Sequence, residues 1–303
     1  MSHLRLRARR YCSAALTLRQ RGQYHISAVI SAEALPFTLL IVLVELTVGG
    51  LWVLWAAHLR GKSAESFVKF GAGMTLVMAA LTFWLAAKLT VDDEVDGYPL
   101  DPSYMPEARW ALAVTCILSI PYALLTLRGA RIPSLITGGA TSIAGFAAIA
   151  LLAQVFAVPT WGYVGTLLAF VVGGLVVGGV TMGMILGHWY LVTPRLPEQP
   201  LREMIFLLLL AMAVQALLII PALALPRDTI ANAVETPILE NPFFWMRIAG
   251  GLAFPALLIW MAYDSSGVRA MQSATGLLYI AMALVLSGEV LGKGLLFVSA
   301  VPN

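Results

Sequence analysis

The chain has 303 residues, of which 60% are hydrophobic and 12% charged, with a mean hydropathy of +0.86. A water-soluble domain carries about 25% charged residues, so lipid rather than water must cover most of this surface. Net charge is +3 and the basic residues are scattered through short loops, which argues against a nucleic-acid surface. Cys12 and Cys116 lack the spacing of a zinc or iron–sulfur site.

The composition predicts an all-α fold, a polytopic integral membrane helix bundle of about eight transmembrane helices. Residues 1–30 read as a basic N-terminal tail and residues 31–303 as a single eight-helix transmembrane domain. Arg5, Arg7, Arg9, Arg10, Arg19 and Arg21 come before any acid. Such a tail suits an amphipathic segment on anionic lipid, a targeting sequence or an over-extended gene start.

The first span is expected at 35–59. Pro36 fits the first helical turn, where its missing N–H costs nothing. Glu45 follows nine residues later, about 14 Å along the helix and so near mid-membrane, and His58 closes the span beside Arg60 and Lys62. The second span is expected at 67–89, followed by an acidic loop with Asp92, Asp93, Glu94, Asp96 and Asp101. The third, 110–127, contains Pro121, a candidate kink. The fourth runs 134–156 and ends near Gln154.

The fifth span, 163–192, is the most distinctive. Gly179, Gly183 and Gly187 recur every fourth residue, and His188-Trp189-Tyr190 follows at once. Such a stripe strips one helix face of side chains, so that another backbone or a flat ligand can come close. A Pro-rich connector leads to the sixth span, 203–225, with Gln215 at its middle. The loop 226–242 carries Asp228, Glu235 and Glu240. The seventh span, 243–263, opens on Arg247 and contains Pro255. The eighth, 273–297, carries Glu289 and Lys293. No internal repeat is evident, which disfavours an inverted-repeat transporter.

Lys and Arg cluster in the turns after spans one, three, five and seven, which places both termini outside by the positive-inside rule; the basic tail argues the other way. Localisation is expected in a bacterial inner membrane.

Two constellations carry candidate chemistry. His58 and His188 each end an odd-numbered span and so share a membrane face. Two imidazoles from two helices can ligate a b-type haem, making His58 and His188 the candidate metal ligands, with Gly183 and Gly187 making room for the porphyrin edge. The plainer alternative makes both interfacial polar residues. The second constellation is Glu45, Arg247 and Glu289. Charge inside a bilayer costs about 2.5–3.5 kcal/mol per residue on insertion scales, so these side chains should face the bundle interior. Spans seven and eight are antiparallel neighbours, which brings Arg247 and Glu289 to one level as an ion pair. It would serve either as a helix lock or as part of a proton path. Glu45 has no partner readable from the sequence.

Leu35-Pro36-Phe37-Thr38-Leu39-Leu40, followed by Val48-Gly49-Gly50, resembles the first helix of the eight-helix quinol-binding membrane anchor subunits of DMSO reductase and polysulfide reductase type. That resemblance implies a quinone-binding subunit that exchanges electrons with an attached iron–sulfur partner. No quinone-site residue of that family maps onto this chain, and haem ligation by His58 and His188 would depart from it.

Three functions are therefore expected in competition. The first is a membrane subunit of a redox or respiratory complex, binding quinone or b-type haem and at most a non-catalytic part of an oxidoreductase. The second is an ion or small-solute transporter using Glu45 and Glu289. The third is an assembly subunit held by partner subunits. No HExxH, P-loop or Ser-His-Asp order is present, so hydrolysis has no support.

Overall fold

A computed structural model describes residues 32–157, 161–193, 195–224 and 238–299. The basic tail and most of the acidic loop after the sixth span lie outside the described residues. Eight helices are long and apolar enough to cross a membrane. They are α1 Leu35–Arg60, α2 Glu65–Lys88, α3 Met105–Leu127, α4 Arg131–Val155, α5 Gly162–Val192 and α6 Gln199–Ala224, then α7 Pro242–Gly267 and α8 Met271–Ser299.

The helices close into two rings of consecutive neighbours. In the first, α1 packs on α2, α2 on α3, α3 on α4 and α4 back on α1; in the second, α5 to α8 repeat the pattern, and the rings join where α1 lies along α5. The apolar windows of α1 and α5 are 72% and 78% buried, against 28–39% for the other six. These two helices are therefore the inner pair, and the other six turn apolar faces outward.

The seam is made by glycine, though not by the stripe that ends at His188. A Cβ at Gly49 would lie 1.7 Å from the Gly174 carbonyl oxygen, and one at Gly178 would lie 2.1 Å from the Gly49 carbonyl carbon. Gly187 instead packs under Thr275, whose Oγ1 would be 3.0 Å from an added Cβ, and Gly183 faces the Met204 sulfur. Van der Waals contact drives helix association in lipid, so backbones approach where side chains are absent.

Two local features depart from the sequence expectation. The acidic loop holds a short hairpin, β1 Glu94–Val95 paired antiparallel with β2 Tyr98–Pro99. Its two-residue turn is Asp96-Gly97, both at positive φ, as the commonest hairpin turn requires. Helix α3 begins at Met105, five residues before the expected start, because Pro106 and Glu107 suit a first helical turn.

The helix α7 is interrupted. Its first segment, Pro242–Ile248, passes through one π-helical turn, Ala249–Ala253, into Phe254–Gly267. Pro255 has no N–H to offer the Gly251 carbonyl four residues earlier. That carbonyl accepts a hydrogen bond from Arg247 NH1 instead, at 3.2 Å. The proline thus frees an acceptor, and the guanidinium occupies it.

Candidate functional site

The seam between the rings holds a buried network of charge. Glu45 on α1, Glu289 and Lys293 on α8 and Arg247 on α7 are 0–3% exposed. Lys293 Nζ lies 2.8 Å from Glu45 Oε1 and 3.6 Å from Glu289 Oε2. Arg247 NH2 lies 2.6 Å from Glu289 Oε1, which also accepts from Gln215 Nε2 at 2.6 Å. Two acids and two bases cancel, so the cluster brings no net charge into the hydrocarbon. All the buried ion pairs among the described residues belong to it.

Local sequence explains how five side chains from four helices converge. Glu289 and Lys293 are four apart and share a face of α8. Gly173 leaves the room Glu45 needs, since a Cβ there would sit 2.6 Å from Glu45 Oε1. Gly251 and Gly288 let α7 and α8 touch backbone to backbone; a Cβ on Gly251 would lie 2.5 Å from Gly288 Cα and 3.1 Å from Arg247 NH1. Removing these side chains brings Arg247 level with Glu289.

The two carboxylates are held unequally. Glu289 is gripped by Arg247, Gln215 and Lys293. Glu45 has only Lys293, against Oε1, whereas Glu289 Oε1 takes two hydrogen bonds; the Oε2 of each acid has no hydrogen-bond partner among the described residues. Glu45 is thus the acid least committed to a fixed geometry.

The network is closed toward the end of the bundle where α1 begins. Phe37, Phe156, Phe170 and Phe297 form an aromatic plug, with ring centroids 6.1 Å apart for Phe37–Phe156 and 6.0 Å for Phe156–Phe297. Lys293 Nζ lies 5.1 Å from the Phe170 ring centroid, a cation–π contact. The hairpin adds Tyr98, which stands edge-on to Phe297 and donates to the Phe156 carbonyl at 3.0 Å. Burial pushes the Tyr98 phenol well above its ordinary pKa, so it stays a neutral donor. On the other side of the network α1 and α5 touch backbone to backbone at Gly49, Gly174 and Gly178. All four charged side chains are buried.

The expected site residues thus divide. Glu45, Arg247 and Glu289 come together, and Arg247 pairs with Glu289 as the antiparallel arrangement implies. Lys293 and Gln215 complete the set. The Glu289–Lys293 spacing was a readable signal for Lys293; that it reaches Glu45 across the seam was not readable. The histidines have separate surroundings. His58 is half-buried near the Tyr122 ring and lines a small cavity with Arg131 and Glu65. His188 is exposed, with Nδ1 3.2 Å from the Tyr279 hydroxyl. No group of three or more His, Cys, Asp or Glu among the described residues is arranged to hold a metal. A Cβ on Gly187 would crowd Thr275 Oγ1 at 3.0 Å, whereas one on Gly183 would only touch the Met204 sulfur at 3.9 Å.

Fold and site define a polytopic α-helical membrane protein with a buried, charge-balanced network at its central seam. Comparison with protein families, curated proteins and solved structures finds no match to this chain.

Proposed function

We propose that the protein moves protons within the membrane and that Glu45 is the group that exchanges them, as in a proton-coupled transporter of a bacterial inner membrane. The observation that carries this reading is the unequal hold on the two carboxylates. Arg247 and Gln215 anchor Glu289, whereas Glu45 is tied to the network through Lys293 alone. Ionisable groups kept inside a membrane at such cost are functional by default. Passing a proton from the Lys293 ammonium to the Glu45 carboxylate leaves both neutral, so the step requires no net charge in hydrocarbon. Glu289 and Arg247 form the fixed half of the device, holding Lys293 within reach.

The experiment is proton uptake into liposomes containing the purified protein, driven by an imposed potassium diffusion potential and read by an internal pH dye. Glu45→Gln should cut uptake at least tenfold while the protein remains monodisperse. Uptake equal to the wild type would overturn the reading.

A quinol-binding redox subunit would use the same network, because oxidising a quinol releases protons that must leave the membrane interior. What supports this second reading is the charge cluster together with the resemblance of α1 to the anchor subunits. It predicts a quinone or a reducible haem in the purified protein, by extraction and by the dithionite-reduced spectrum, and a partner subunit that co-purifies.

A further inference from the structure

Away from the network the described residues leave a large opening. Between α4 and α6 lies a groove of about 1150 Å³ floored by α1 and α5. Its walls are aliphatic and aromatic along nearly the whole length. Trp52 and Trp55 line one side with their indole N–H groups already donated to the Ser142 and Leu135 carbonyls, at 3.1 and 3.0 Å. The rings therefore present carbon to the groove. Along α6 the lining runs from Pro200 to Val214, about 21 Å at 1.5 Å per residue. One leaflet's share of the hydrocarbon core is about 15 Å, so the groove is long enough for an acyl chain.

One end alone is charged. Arg60 and Lys62, at the end of α1 and just beyond, share the single carboxylate of Glu203, at 3.6 and 3.5 Å. Their side chains remain 49% and 52% exposed, and Glu203 is also engaged by Gln199 at 2.7 Å. Two cations against one acid leave a positive surplus at the mouth, with guanidinium and ammonium donors still free to take an anion. This end also belongs to the face whose loops carry most of the lysines and arginines, where anionic lipid headgroups are attracted.

We propose that this groove is a binding site for an anionic glycerophospholipid, its phosphate on Arg60 and Lys62 and one acyl chain lying along Trp52, Trp55 and α6. The lipid fills the gap between the two rings and ties α4 to α6. Selectivity comes from the mouth: a zwitterionic headgroup brings its own cation to a place already in cationic surplus, whereas a phosphatidylglycerol headgroup does not. The site is independent of the proton reading, since none of its residues belongs to the charge network.

The test offers delipidated full-length protein mixed vesicles of equal phosphatidylglycerol and phosphatidylcholine, then identifies retained lipid by native mass spectrometry. About one phosphatidylglycerol should be retained per chain in preference to phosphatidylcholine. Arg60→Gln and Lys62→Gln should each weaken retention about fivefold, while Arg128→Gln, an exposed cation outside the groove, should not. Glu203→Gln removes the competing carboxylate and should strengthen retention, a change that impaired folding cannot imitate. Ala211→Phe, which fills the groove, should lose both lipids. Equal retention of the two lipids, indifference to Arg60, Lys62 and Glu203, or an isoprenoid quinone found in place of the phospholipid would overturn the proposal. Proton uptake by Glu45→Gln is measured at one fixed lipid composition, so either idea can fail without the other.

Discussion

The two rings of helices solve the same problem in opposite ways. In the first, α1 to α4, buried polarity other than Glu45 is largely hydroxyl, and much of it is satisfied locally. Thr115, Ser119, Thr126, Thr141 and Ser142 each donate to the carbonyl four residues back on their own helix, at 2.7–2.8 Å. Between helices, Thr82 meets Thr47 at 2.8 Å and the Leu43 carbonyl at 3.4 Å. The second ring, α5 to α8, also buries hydroxyls, at Thr166, Thr181, Ser266 and Thr275, but adds charge, which Arg247, Gln215 and Lys293 satisfy around Glu289. A hydroxyl that bonds its own backbone asks nothing of its neighbours, so the first ring is tolerant of change. A buried charge depends on a partner from another helix, so the second ring is bound to one arrangement. Glu45 is the first ring's single contribution to that arrangement and couples the two halves.

Substitutions that strike this contrast should rank clearly. The largest effect belongs to the seam. Gly178→Leu places side-chain atoms inside the α1 backbone, where a Cβ alone would be 2.1 Å from the Gly49 carbonyl carbon. It should abolish recovery of monodisperse protein, and size-exclusion chromatography in detergent reads the outcome. A well-behaved Gly178→Leu protein would show that the rings do not need this contact.

Next comes the removal of one charge from the second ring. Arg247→Met leaves Glu289 with Lys293 and Gln215 and also frees the Gly251 carbonyl. Breaking a buried pair by removing one partner costs about 3–5 kcal/mol, which SDS-induced unfolding should register. Lys293→Met should cost about as much on the same scale by stranding Glu45, and adding Glu45→Gln to it should restore much of the loss. A double variant as unstable as the sum of its parts would mean that the two residues are not coupled, contrary to their 2.8 Å separation.

The smallest effect should come from the first ring. Thr82→Val removes the bond to Thr47, and hydrogen bonds between membrane helices average about 0.6 kcal/mol in double-mutant cycles. Unfolding should shift by roughly that amount, with proton uptake unchanged. A loss as large as that of Arg247→Met would erase the distinction between the rings.

Much of this was legible along the chain. Eight apolar runs of sufficient length dictate eight spans, because hydrocarbon accepts backbone only when its hydrogen bonds close within each segment. Arg247, Glu289 and Glu45 stood out because charge is rare in such runs, and antiparallel order put the first two at one level. Helix order along the membrane normal is a one-dimensional property, and the sequence carries it. Rotation about each helix axis and the choice of lateral neighbours are not of that kind. They made Gly174 and Gly178 the seam instead of Gly183 and Gly187, gave Lys293 to Glu45, turned His58 and His188 toward different helices, and opened the groove beside Arg60. In lipid those choices rest on which small faces let backbones touch and which charges find partners, and both are settled by contacts between distant segments.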